Sequence, residues 1–116
     1  MIQDDLKLKG RLDIVVTSQD GVIKQKESVE NLVVTAGKSF VASRMAGSSA
    51  SVMSHMAIGT DNTAASASDT ALGSESARSA LTSTTVNNND VVYVASFAAG
   101  VPSTSAVITE AGIFNA

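Results

Sequence analysis

A run of small and short polar side chains, IGTDNTAASASDTALGSESAR, occupies Ile58 to Arg78 in the middle of this 116-residue chain. It holds no aromatic residue, no Cys and no His. Beyond Ile58 at its start, only Leu72 in the run is large and apolar, so the segment cannot supply a core of its own. It must stay open or lie against something that can. Its composition favours disorder, but three features oppose that. The charges are few: Asp61, Asp69, Glu75 and Arg78. Asp69 before Thr70-Ala71-Leu72 reads as the N-cap of a short helical turn ending near Gly73, with Leu72 available for burial. Predicted strands flank the run on both sides. A phosphate-binding loop needs GxxxxGK[ST], whereas Gly59 and Gly73 lie far apart and neither precedes a Lys. Asp61, Asn62 and Asp69, and likewise the Asn87–Asp90 turn, lack the spacing of a calcium loop.

The flanking segments carry the fold. RLDIVVT at 11–17 places Leu12, Ile14 and Val16 on one face of a strand. Asp20-Gly21 is a two-residue hairpin signal, and VIKQKESVENLVV returns, with a bulge expected near Lys26–Ser28. TAGKSFVASRMAG predicts a helix over 36–46. Thr35 is its N-cap, Gly47 its stop, and Ala36, Phe40, Val41 and Met45 form its apolar stripe. A strand follows at about 53–59. RSALTSTTV at 78–86 reads as one strand by its Thr and Val content. DVVYVASFA at 90–98 alternates Val91, Tyr93, Ala95 and Phe97 against Val92, Val94 and Ser96, with Tyr93 and Phe97 assigned to the core. Val107 and Ile108 open a last strand that Ile113 and Phe114 anchor. The fold class is therefore α+β, mostly antiparallel β, a small sandwich or partly open barrel with one amphipathic helix near 36–46. The length fits one domain over 11–116 preceded by an arm at 1–10. With one Tyr, three Phe and no Trp, the core is thin, and such a chain gains stability by associating.

The same numbers remove several functions. A net charge of −3 with no basic stripe excludes a nucleic-acid partner, since that affinity comes from cations meeting phosphates. Lys7, Lys9 and Arg11 are interleaved with Asp4, Asp5 and Asp13. No apolar run is long enough for a membrane-spanning helix, and MIQDDLKLKG has no signal-peptide core. Without Cys there is neither a disulfide nor a zinc–thiolate site. One His, His55, and no G-x-S-x-G elbow leave no triad. Asp4–Asp5 and Glu27–Glu30 fall on a predicted arm and strand as solvated carboxylates, not an opposed pair in a cleft. No catalytic residue, cofactor, metal or small-molecule substrate is expected.

Three motifs in one order carry a resemblance. Asn31–Gly37 reads N-L-V-x-x-A-G at a helix start. Ile58–Arg78 reads I-G-T-x-x-T-A and ends D-T-x-L-x-x-E-x-x-R. Glu110–Phe114 reads E-A-G-I-F. Together they cover about 31–114 and resemble structural proteins of tailed-bacteriophage virions, of head-decoration, tail-fibre or baseplate type. The resemblance implies that Ile58–Arg78 is a structured crossing pinned by Leu72. It implies that Glu75 and Arg78 pair with each other or with Glu110, and that Phe114 anchors the last strand. It implies a non-enzymatic virion protein, foremost a capsid decoration (cement) protein bridging capsomers, made in the host cytoplasm. The alternatives are a tail component (fibre, baseplate or adaptor subunit) or a host-surface binding module. The short chain, without heptads or a collagen-like repeat, favours the head over a fibre shaft. The expected partners are the major capsid protein or other virion proteins and further copies of the chain, as a trimer. Leu6, Lys7, Leu8 and Lys9 in the arm are the expected contacts, adding a strand to the partner.

Overall fold

The computed structural model describes residues 8–18, 20–47, 50–101 and 107–116. Among them are seven strands and one helix, and every strand pair is antiparallel. The α+β class with a single helix is thus as expected. The strands make three small sheets that do not close into a barrel. The chain divides into two compact units, Met1–Ser48 with Ala65–Asp69, and Ser49–Ala64 with Thr70–Ala116.

The first unit opens with a hairpin of β1 (Gly10–Thr17) and β2 (Ile23–Asn31). Leu12 faces Val29, Ile14 faces Glu27 and Val16 faces Gln25. One face therefore carries Leu12, Ile14, Val16 and Val29 together, as the period-2 alternation requires. The return is longer than a two-residue turn. Ser18 and Val22 close it through Ser18 N–H to the Val22 carbonyl (2.8 Å), and Gly21 donates to the Ser18 carbonyl (3.0 Å) from a left-handed conformation, φ +86°. The Ser18 hydroxyl also donates to the Asp20 carboxylate, which lowers the pKa of that carboxyl. The bulge lies beside this loop and not near Lys26–Ser28. Val16 faces Gln25 and Thr17 faces Ile23, so Lys24 is the extra residue. Left-handed loop residues and bulges occur together because both add twist.

The helix α1 spans Thr35–Met45. Its N-cap is Val34, not Thr35, and no side chain caps it. Thr35 instead donates its N–H to the Ala67 carbonyl at 2.8 Å, so residues from the small-residue run satisfy a helix N-terminal donor. The stop is at Gly47, φ +84°, with its N–H on the Arg44 carbonyl. The apolar stripe is narrower than predicted. Phe40 and Val41 are half-buried, whereas Ala36 is exposed and Met45 is 73% exposed.

In the second unit, β3 (His55–Gly59) is the centre of a three-stranded sheet, between β4 (Glu75–Ala80) and β7 (Glu110–Phe114). Its Ala57 and Gly59 are the buried residues among those described. The predicted strand over 78–86 is two strands. β4 ends at Ala80, and β5 (Ser83–Asn87) pairs with β6 (Asp90–Val94) in a separate hairpin. Leu81 donates to the Ser54 carbonyl (2.9 Å) and Thr82 to the Val94 carbonyl (2.6 Å), so two successive N–H groups hand the chain from one sheet to the other. β6 stops at Val94, short of Ala98, and Tyr93 and Phe97 are half-buried where a core was expected. The last strand begins at Glu110, leaving Val107 and Ile108 outside it and exposed. No helical turn follows Asp69. Its carboxylate accepts the Ser66 N–H at 2.9 Å, closing the turn before it.

Candidate functional site

Glu110 is the fixed point of the second unit. As the first residue of β7 it sits opposite Gly59 at the end of β3. From there its carboxylate reaches both ends of the loop that joins β3 to β4. Oε2 accepts the Asp61 N–H (2.9 Å) and the Ser74 N–H (2.8 Å), and Oε1 accepts the Gly73 N–H (2.8 Å). Three charge-assisted bonds on one carboxylate clamp the loop shut, each stronger than a neutral bond. Desolvation and the neighbouring Asp61 charge push the Glu110 carboxyl up, but the donors at Asp61, Ser74 and Gly73 outweigh them and hold it below its ordinary value.

Glycine makes this approach possible. A Cβ on Gly59 would stand 2.5 Å from Glu110 Oε2 and closer still to the Ser74 carbonyl, and one on Gly73 would collide with the Asp61 carboxylate. Asp61 in turn accepts the Thr63 N–H at 2.9 Å, which lowers its pKa. Leu72 is half-buried over β7. A Cβ placed on Gly112 would lie 3.3 Å from Leu72 Cδ2 and 3.1 Å from Phe114 Cε2.

Glu75 and Arg78 pair with each other and not with Glu110. Arg78 Nε donates to Glu75 Oε2 (3.0 Å) and Nη2 to Oε1 (2.6 Å), a bidentate fork. The guanidinium lies 4.1 Å from the centre of the Phe114 ring, and Nη1 donates to the Ala116 carbonyl. The bond from Arg78 lowers the Glu75 pKa. Asp20 and Gly21 belong to the β1–β2 loop, apart from this cluster. His55 is half-buried, its Nδ1 2.7 Å from the Ser54 hydroxyl, and faces Phe114 and Ala80 across the sheet. Among the described residues no three His, Asp or Glu side chains converge on a metal-sized site, and no helix is long and apolar enough to cross a membrane.

Of the expected arm contacts, Leu6 and Lys7 lie outside the described residues. Leu8 is half-exposed and Lys9 exposed. Sequence reasoning missed a different surface. Val86, Val91, Val92 and Val94 of the β5–β6 hairpin are 72, 49, 49 and 43% exposed, and Val92 and Val94 lie on the face opposite Val86 and Val91. In the β1–β2 hairpin Val15, Val16, Ile23 and Val29 are also exposed. The DVVYV alternation was the available signal. Val on both faces of a strand calls for cover on both faces. Comparison with family models, with curated proteins and with solved structures gives no match to this chain.

Proposed function

We propose that the chain is a non-enzymatic structural protein of a tailed-phage particle, and within it a capsid decoration protein that binds the shell in many copies. The observation that carries this reading is the mismatch between apolar surface and core. Large aliphatic side chains stand exposed on both hairpins, while Ala57 is the one buried apolar residue among those described. Half-covering one exposed Val contributes about 1 kcal/mol, so a protein of this kind gains its stability on a surface or in an assembly. The three motifs at Asn31–Gly37, Ile58–Arg78 and Glu110–Phe114 supply the phage assignment. Glu110, Arg78 and His55 all engage internal partners, which suits a scaffold better than a reaction centre.

Immunogold labelling of intact particles of the encoding phage tests this. Label spread over the head is the expected result. Label confined to the tail would replace it with a tail component, and the absence of label from particles that contain the chain by mass would mean a covered subunit. A particle preparation lacking the chain altogether would overturn the virion assignment.

A further inference from the structure

The outer edge of β2 has no strand beside it among the described residues, and all nine of its residues are exposed. A lone two-stranded ribbon is marginally stable in water, whereas three or more strands sharing an apolar face are stable. We infer that β2 is a self-pairing edge: it adds antiparallel to β2 of a second copy, about a two-fold axis through Ser28, and makes a four-stranded sheet of two hairpins.

Geometry and charge select this register. When the same edge of the same strand meets itself antiparallel, residues whose N–H and C=O point outward must face residues of the same kind. Every facing pair is then two, four or more positions apart, or a residue facing itself. The bulge at Lys24 breaks this parity, so the regular run is Gln25–Asn31, whose middle residue is Ser28. Centred there, Lys26 faces Glu30 of the second copy and Glu30 faces its Lys26. Gln25 faces Asn31, and Glu27 faces Val29. Two opposite-charge pairs form and no like-charge pair does. Moving the centre to Glu27 sets Glu27 against itself, and moving it to Lys26 sets Lys26 against itself, both of which are destabilising. Moving it to Val29 removes every ion pair.

The two-fold axis is perpendicular to the sheet, so like faces join. Leu12, Ile14, Val16 and Val29 of one copy continue into the same four residues of the other. The contact is isologous and closes on two copies. A three-fold assembly of the kind the resemblance implies would use other surfaces. The outer edge of β1 is a weaker competitor, because Arg11 and Asp13 already pair with each other at 3.3 Å.

Two experiments on the full chain test the inference, independently of any role in a particle. Sedimentation equilibrium should show that Lys26→Glu and Glu30→Lys each raise the dimer dissociation constant about tenfold or more, and that the double swap returns it to within about threefold of wild type. The chain has no Cys, so Ser28→Cys introduces a single thiol. It should oxidise to a covalent dimer, because facing residues meet at disulfide distance. Lys26→Cys should not, its two copies lying about 14 Å apart. Unchanged dissociation constants in the single swaps, or cross-linking of Lys26→Cys in place of Ser28→Cys, would overturn the register and the inference with it.

Discussion

Glu110 accepts three backbone N–H bonds, so its charge is tied to the shape of residues 61–74. Its carboxyl titrates below the ordinary 4.5 when folded and near that value when unfolded. Below pH 4.5 the unfolded chain therefore binds more protons, and stability falls with pH; above that value the contribution is fully present. Glu110→Gln should lower the melting temperature at pH 7 and flatten the decline in stability as the pH falls below 4.5. An unaltered acid limb in thermal melts would mean that other carboxylates set it. Glu110 was legible as part of the E-A-G-I-F motif but not in its role. Its partners are main-chain donors, which leave no mark on the sequence beyond the two glycines that let them approach. Arg78 was legible more fully, because Glu75 sits three positions before it. A Glu75/Arg78 mutant cycle followed by thermal melts should be non-additive, since either single change removes both bonds of the fork. Arg78→Lys should also destabilise, as an ammonium cannot form the fork and stack on Phe114 together.

At the scale of elements, ends set by backbone chemistry were legible and ends set by partners were not. Gly47 stops α1 because a left-handed residue there costs glycine nothing. Thr35 has the right chemistry for a cap, but the Ala67 carbonyl takes its N–H and the helix starts one residue early. The break at Leu81–Thr82 is invisible in RSALTSTTV, since no Gly, Pro, Asn or Asp marks it. The change of partner, from Ser54 to Val94, makes the break. The Asn87–Asp90 turn was read correctly, and Asn88 holds φ +56° within it. Asn88→Ala should destabilise the β5–β6 hairpin by about 1 kcal/mol and Asn88→Gly should be nearly neutral, as read by hydrogen exchange at Val91 to Val94. Equal effects from both would show that the side chain, not the backbone angle, matters there.

At the scale of the molecule, composition foretold a thin core, and among the described residues Ala57 is the one buried apolar side chain. If the chain is the decoration protein proposed above, deleting residues 2–9 should abolish its attachment to particles while leaving the circular dichroism spectrum and the melt intact, and undiminished attachment would remove the arm from the interface. The pairing of His55 with Phe114 also has a bearing on the order of folding. The β1–β2 and β5–β6 hairpins are local and can form within microseconds. The central sheet needs β7, which the ribosome delivers some fifty residues after β3. Until Glu110 has been synthesised and has left the exit tunnel, the N–H groups of Asp61, Gly73 and Ser74 have no carboxylate to meet. The two hairpins can therefore take shape during translation, while the loop between β3 and β4 is fastened only when β7 arrives.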